Sequence, residues 1–249
     1  MDIGKSFTFM FEDKDWIAKI AIGGLVVLLS VLIIPIPLLV GYGLAVTKRV
    51  YEGDPNPLPE WNNIGDLFVK GLYAMIGVLI WASPLILLVC CMALATTALG
   101  AMGSGGDSDG LATLGGLVIA CLYCVLFVGG IAINLFVYAP MTKFAINNQI
   151  NTFWDFRGAW DFIRANPGNY LIAFLLTIVA NFIAGFGIIA CFVGVFFTTF
   201  WGYLVAAHLF GQVARSNMNP TDTTMLPPAS PMDEPPSMMQ GPYEPAPSA

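Results

Sequence analysis

Four apolar runs decide what this chain can fold into. They read "IAIGGLVVLLSVLIIPIPLLVGYGLAV", "GLYAMIGVLIWASPLILLVCCMALATTALG", "LATLGGLVIACLYCVLFVGGIAINLFVYAP" and "YLIAFLLTIVANFIAGFGIIACFVGVFFTTFWGYLVAAHLFG". About 20 apolar residues cross a bilayer as a helix, and only helices or closed barrels satisfy their backbone in hydrocarbon. The runs are continuous and lack the strict alternation of barrel strands, which selects helices. With 57% hydrophobic and only 10% charged residues, against about 25% charged in soluble domains, lipid must serve as part of the solvent. The expected fold class is an all-α, multi-pass membrane protein. The start, "MDIGKSFTFMFEDKDW", is too acidic for a cleaved signal and is expected to remain in the mature chain.

Punctuation divides the runs into about six transmembrane helices in three hairpins. Pro35 and Pro37 split the first run into residues 16–34 and 38–51. The turn-rich "GAMGSGGDSDG" separates residues 71–99 from 111–140, and "GFG" separates 169–184 from 188–211. The first, second and fifth segments are short for a full crossing, which leaves re-entrant hairpins open. Basic residues give the orientation. Lys5, Lys14, Lys19, Lys48, Arg49, Lys70, Lys143, Arg157, Arg164 and Arg215 all fall at the termini, in the second or fourth connection, or at adjoining helix ends. Basic flanks stay cytoplasmic, so both termini are expected inside.

Three aromatic-rich stretches precede the hairpins. In "FWDFRGAWDFIR", Phe153, Phe156, Trp160 and Ile163 follow a helical spacing, while Arg157, Asp161 and Arg164 line another face. That is the pattern of an amphipathic helix lying in the membrane interface. Ile3, Phe7 and Met10, and then Trp61, Ile64 and Phe68, suggest two further copies. The reading is a threefold repeat of interfacial helix plus hairpin, set against the simpler one of three aromatic cytoplasmic junctions. Residues 1–216 are thus expected to form the membrane domain. Residues 217–249 hold nine prolines, the acidic residues Asp222, Asp233, Glu234 and Glu244, and no basic residue. Such a segment is expected to be a disordered cytoplasmic tail, available to a protein partner or simply solvated.

No Asp, Glu, Lys or Arg lies within the apolar cores, whereas ion-coupled transporters place ionisable groups there. Asn134 and Asn181 are expected to be interhelical hydrogen-bond partners, or else to line a polar route. His208, the single histidine, is expected to be a satisfied imidazole near the cytoplasmic end of the last helix. Cys90, Cys91, Cys121 and Cys124 fall at matched depth, about 13–15 Å into the third and fourth segments, and Cys191 begins the sixth. Four thiols there would suit a redox or metal centre, yet buried cysteine is also an inert packing residue. No catalytic, cofactor-binding or metal-ligating residue is assigned, and no cofactor is expected. Pairs four apart, Ala180 with Ala184, Ala190 with Gly194 and Gly202 with Ala206, read as close helix contacts, as do Gly23, Gly24, Gly41 and Gly43 in the first hairpin. Pro84 is expected to bend the third segment.

The run Phe7/Phe9/Phe11, Asp15-Trp16, Gly23-Gly24, Gly41-Tyr42, Arg49, "LPEW" (residues 58–61) and Gly65-Asp66-Leu67-Phe68 together resemble the prokaryotic membrane proteins of domain-of-unknown-function family 4013. The resemblance is good over about residues 2–75 and looser to 216. It implies a multi-pass protein of a prokaryotic plasma membrane and carries no functional residues with it. "LPEW" reads as a recognition loop or as plain structure, a turn at Pro59 with Trp61 as an anchor. Three functions follow, in order: a non-enzymatic accessory or organising subunit; a permease or channel for a neutral or amphiphilic solute; and a membrane thiol redox protein. The lipid bilayer is the expected partner, with a protein partner through the tail or the helices, and no nucleic acid.

Overall fold

A computed structural model describes the backbone of residues 1–103, 109–189 and 193–217, and the side chains of 1–98, 116–189 and 193–217. Among these residues every regular element is helical. The eight α-helices are α1 (Ile3–Thr8), α2 (Trp16–Leu29), α3 (Ile36–Glu52), α4 (Ile64–Gly103), α5 (Asp109–Asn147), α6 (Phe156–Ala165), α7 (Pro167–Gly185) and α8 (Gly194–Ser216). Local chemistry sets their ends. Asp2 caps α1 by accepting from the Lys5 N–H, and Asp155 caps α6 by accepting from the Gly158 N–H. Proline opens α3 and α7, where a missing N–H costs nothing. Gly53, at φ 83°, closes α3 in the left-handed region that a side chain resists.

α3 and α8 form the centre. α8 is the most enclosed long helix, packed by α2, α3 and α7, while α3 also packs along α4 and α5. Small residues permit these crossings. A Cβ at Gly41 would strike the Leu67 carbonyl, and one at Gly71 the Pro37 carbonyl, so α3 and α4 meet backbone to backbone. Gly202 faces Ala180 and Ala184, as their spacing implied, whereas Ala190 lies outside the described residues. Gly23, Gly24 and Gly43 do not close the first pair of helices on itself. They receive the rings of Phe200, Phe197 and Tyr203 from α8. The N-terminus is tied to the same helix: the Asp2 N–H donates to Gln212 Oε1 at 2.7 Å, and Gln212 Nε2 donates back to the Asp2 carbonyl at 3.0 Å.

The six expected spans exceed what the helices supply. Four are long and apolar enough to cross a membrane, or five if the bent pair Ile3–Glu12 and Trp16–Leu32 counts as one span. α2 and α3, at 14 and 17 residues, are the ones that fall short. α4 and α5 err the other way: at 40 and 39 residues each is about 60 Å long, and α4 continues through Pro84 without a break.

The aromatic-rich stretches divide between core and surface. α6 exists and is amphipathic, but Ala159 and Phe162 turn inward while Phe156 and Trp160 stay exposed. Phe153 is fully buried, with Trp81 Nε1 donating to its carbonyl at 2.9 Å. In the N-terminal stretch Ser6, Phe9 and Met10 are buried while Ile3 is exposed. Before the third segment there is no separate helix: α4 starts at Ile64 and buries Leu67. Ala159 and Phe162, and Ser6, Phe9 and Met10, are thus the residues these stretches turn to the protein core. Asn217 Nδ2 donates to the Phe162 carbonyl at 3.0 Å; the rest of the expected tail, 218–249, lies outside the described residues.

Candidate functional site

The cysteines do not gather. Cys90, Cys91, Cys121 and Cys124 are free and exposed on the outer faces of α4 and α5, and Cys191 lies outside the described residues. Among the described residues no group of three or more His, Cys, Asp or Glu is placed to hold a metal ion. Helical rotation turns the four thiols outward.

His208 is satisfied and buried. It sits on α8, with Nδ1 at 3.0 Å from Ser6 Oγ and 3.2 Å from Gln212 Nε2, and its ring stacks on Phe9 at 4.3 Å. The imidazole is a fastener between the two ends of the chain.

"LPEW" is held from four sides. Tyr42 Oη donates to the Pro59 carbonyl at 2.9 Å, Arg49 to the Leu58 carbonyl at 3.2 Å, and Trp61 Nε1 to the Lys19 carbonyl at 3.3 Å. The Trp61 ring stacks on Tyr42 at 4.2 Å. Lys19 Nζ meets Asp13 Oδ2 at 2.8 Å and Glu60 Oε1 at 2.6 Å. Burial pushes the Asp13 carboxyl up, but the Lys19 bond and the Asp15 N–H more than offset it, leaving it below the usual carboxylate range. Asp155 is also held low, by the Gly158 N–H and then by Lys143 at 3.1 Å. With Leu58 buried and the loop's polar groups engaged, this loop works as a clamp.

Asn134 and Asn181 are brought together, though not as a bonded pair. Both line one open surface groove of about 580 Å³ between α5 and α7, whose walls are Leu126, Phe127, Gly130, Ile131, Phe174 and Ile178. Asn181 Nδ2 donates to the Thr177 carbonyl of its own helix at 2.8 Å, which leaves its oxygen free to accept. The Asn134 side chain makes no hydrogen bond among the described residues. The expected interhelical amide bond is therefore absent there. Asn134 stands 13 residues before the end of α5 and Asn181 14 residues after the start of α7, about 20 Å in each case. Two amides thus share one level, inside helix lengths that read as membrane.

Tyr138 and Thr177 complete the polar lining, and neither stood out as a site residue in the sequence. Tyr138 is positioned by its stack on Phe210, 4.2 Å away and nearly parallel. The available signal was spacing: Asn134 with Tyr138, and Thr177 with Asn181, are each four apart and so share a helix face. The groove carries no carboxylate, ammonium or guanidinium. Such a lining can orient an uncharged polar head by hydrogen bonds while six apolar residues hold an alkyl body. A charged head would be left without a counter-ion.

The family described as "Protein of unknown function (DUF4013)" matches residues 24–193. The matched stretch contains Gly41-Tyr42, Arg49 and "LPEW", whereas the Phe7/Phe9/Phe11 run and Asp15-Trp16 precede it. Neither a curated protein nor a solved structure matches the chain.

Proposed function

The chain belongs to the DUF4013 family, whose description assigns no activity, and from the site itself we propose a membrane protein that binds a neutral amphiphile. The ligand class is an uncharged head with hydrogen-bonding capacity on an alkyl or isoprenoid body, entering sideways from the bilayer. One observation carries the reading: Asn134 and Asn181, far apart in sequence, line the same apolar groove at the same depth. A volume of about 580 Å³ falls within the usual range for ligand pockets. No step of covalent chemistry is assigned. The confinement of basic residues to the termini, the second and fourth connections and adjoining helix ends supports termini on the cytoplasmic side, and the family resemblance supports a prokaryotic plasma membrane.

The test uses the full chain in lipid vesicles and a monoacylglycerol bearing a diazirine, with the cross-linked peptides mapped. Labelling should concentrate on α5 and α7, around Phe127 and Ile178, and fall at least fivefold in Asn134→Leu/Asn181→Leu. Labelling of Leu87 on α4, which is 67% exposed, should not change. Even labelling of every lipid-facing helix, unaltered in the variant, would refute the site.

An accessory subunit is the second reading, supported by the outer parts of α4 and α5. Leu87, Leu94, Phe127 and Val128 are each more than 60% exposed, a surface on which a partner's helices can pack. Affinity purification of the full chain beside one ending at Asn217 tests it. A stoichiometric copurifying protein supports the reading, its loss on truncation assigns recruitment to the tail, and a partner-free protein counts against it.

A further inference from the structure

The turn between α2 and α3 is exposed, apolar and short of the far side. From Lys19, whose ammonium is held by Asp13 and Glu60, to Leu32 is 13 residues of helix, or about 20 Å. From Ile36 to Lys48 in α3 is 12 residues, or about 18 Å. Both arms therefore fall well below the roughly 30 Å of a hydrocarbon core. The helices joined by "GAMGSGGDSDG" are different. Lys70 to Gly103 and Asp109 to Lys143 are 33 and 34 residues, about 50 Å each, and their connection is polar.

The turn itself is built without need of water. Val31, Leu32, Ile33 and Ile34 are 64–79% exposed, so nothing in the described chain covers them. Yet the backbone donors are used internally. The N–H groups of Ile33, Ile34, Ile36 and Leu38 donate to Ser30, Leu32, Ile33 and Pro35 carbonyls at 2.7–3.1 Å. Pro35 and Pro37 have no N–H to satisfy. Even the Ser30 hydroxyl donates back, to the Val26 carbonyl at 2.8 Å. Ile33 adopts φ 67°, a backbone where a turn in water would carry Gly or Asn; the chain places a β-branched apolar side chain there instead. Exposed apolar side chains over an internally satisfied backbone are what hydrocarbon requires and water does not.

We propose that the α2–α3 turn ends among the lipid acyl chains, so that α2 and α3 enter the membrane and return to the side they came from. The partner of Val31, Leu32, Ile33 and Ile34 is hydrocarbon, and the protein spans the bilayer through its longer helices. This goes beyond amphiphile binding and does not depend on it.

The test starts from the full chain with its five cysteines replaced by alanine, confirmed as monodisperse, in lipid vesicles. Val31→Cys and Ile33→Cys are compared with Ser108→Cys in the polar connection, using a membrane-impermeant maleimide supplied from each side in turn. Ser108→Cys should label from one side. The two tip cysteines should label at least tenfold more slowly from either side, and react fully once detergent is added. A bimane coupled in detergent to Val31→Cys and returned to vesicles should be quenched more by lipids brominated along the acyl chain than by a headgroup quencher. Labelling of Val31→Cys from the Ser108 side at the Ser108 rate would overturn the proposal. So would protection from maleimide without quenching by brominated chains, which would place protein rather than lipid over the tip.

Discussion

Replacing Lys19 by methionine isolates the charge that holds the "LPEW" clamp. Methionine keeps most of the stem volume and removes the ammonium, so packing changes little. Lys19 is 5% exposed, and its partner carboxylates differ sharply: the Asp13 side chain is 9% accessible and that of Glu60 57%. Glu60 returns to water at little cost. Asp13 is left partly buried without its counter-charge, and stranding one member of a fully buried pair costs about 3–5 kcal/mol. The lower end applies because Asp13 still accepts the Asp15 N–H at 2.8 Å. A loss of about 3 kcal/mol corresponds to a fall in Tm of about 6–12 °C for a domain of this size. Thermal unfolding in detergent micelles, followed by tryptophan fluorescence with Trp61 against the same loop, measures it. Adding Asp13→Asn should recover about 2 kcal/mol, since the stranded charge is gone. The pH dependence has a definite sign. Asp13 titrates below its unfolded value in the native protein, so its contribution is complete above about pH 4 and is lost as pH falls through the folded value. The gap between parent and Lys19→Met should accordingly narrow by pH 3. A Tm shift under 2 °C, or strict additivity of the two substitutions, would refute the reasoning.

Three further outcomes follow from the same geometry. Gly71→Val should separate α3 from α4, because a side chain there meets the Pro37 carbonyl; a loss of about 3 kcal/mol or more is expected, visible as aggregation on size-exclusion chromatography, whereas Gly65→Val, with open space around it, should elute as the parent does. Tyr42→Phe removes one buried bond to the Pro59 carbonyl and keeps the stack on Trp61, so about 1 kcal/mol and a few degrees of Tm should be lost. Asp155, held low first by the Gly158 N–H and then by Lys143, anchors the start of α6 above its unfolded value. Hydrogen exchange at Gly158 should therefore accelerate as pH falls below about 4, relative to intrinsic exchange, and Asp155→Asn should remove that dependence.

Class and helix positions were legible because hydrocarbon imposes length and composition directly. The punctuation at Pro35 and near "GFG" falls between consecutive helices, while "GAMGSGGDSDG" overlaps the end of α4 and the start of α5. What escaped was rotation. Phe153 and Phe156 are three apart and read as one face, yet a helix start at Phe156 separates them, and one is buried while the other is exposed. Cys90, Cys91, Cys121 and Cys124, placed by spacing where they could face one another, are all exposed. In a membrane protein both faces of a helix are apolar, so periodicity does not mark which side meets protein. Small residues carry that information instead, and Gly202 against Ala180 and Ala184 was readable on those grounds. The partner of Gly23 and Gly24 was not, because nothing local announces an aromatic about 175 positions away, at Phe197 and Phe200. The candidate groove was half visible. Its two amides stood out as polar residues in apolar runs, but their meeting depends on how α5 and α7 are set, which no single run encodes.

The fastening of α1, α2 and α3 to α8 has a consequence for synthesis. Asp2 bonds Gln212 at a separation of 210 residues, and Thr47 bonds the Ala207 carbonyl at a separation of 160. At about 5–20 residues per second, α8 follows α3 by roughly ten to thirty seconds. Throughout that interval the glycine faces of α2 and α3 have no ring to receive and Ser6 has no imidazole. The first-made segments must therefore wait in the membrane, half-assembled, for the last-made one. A chain stopped before α8 loses the keystone of everything translated before it, so quality control of this protein is in effect a check on whether α8 has arrived.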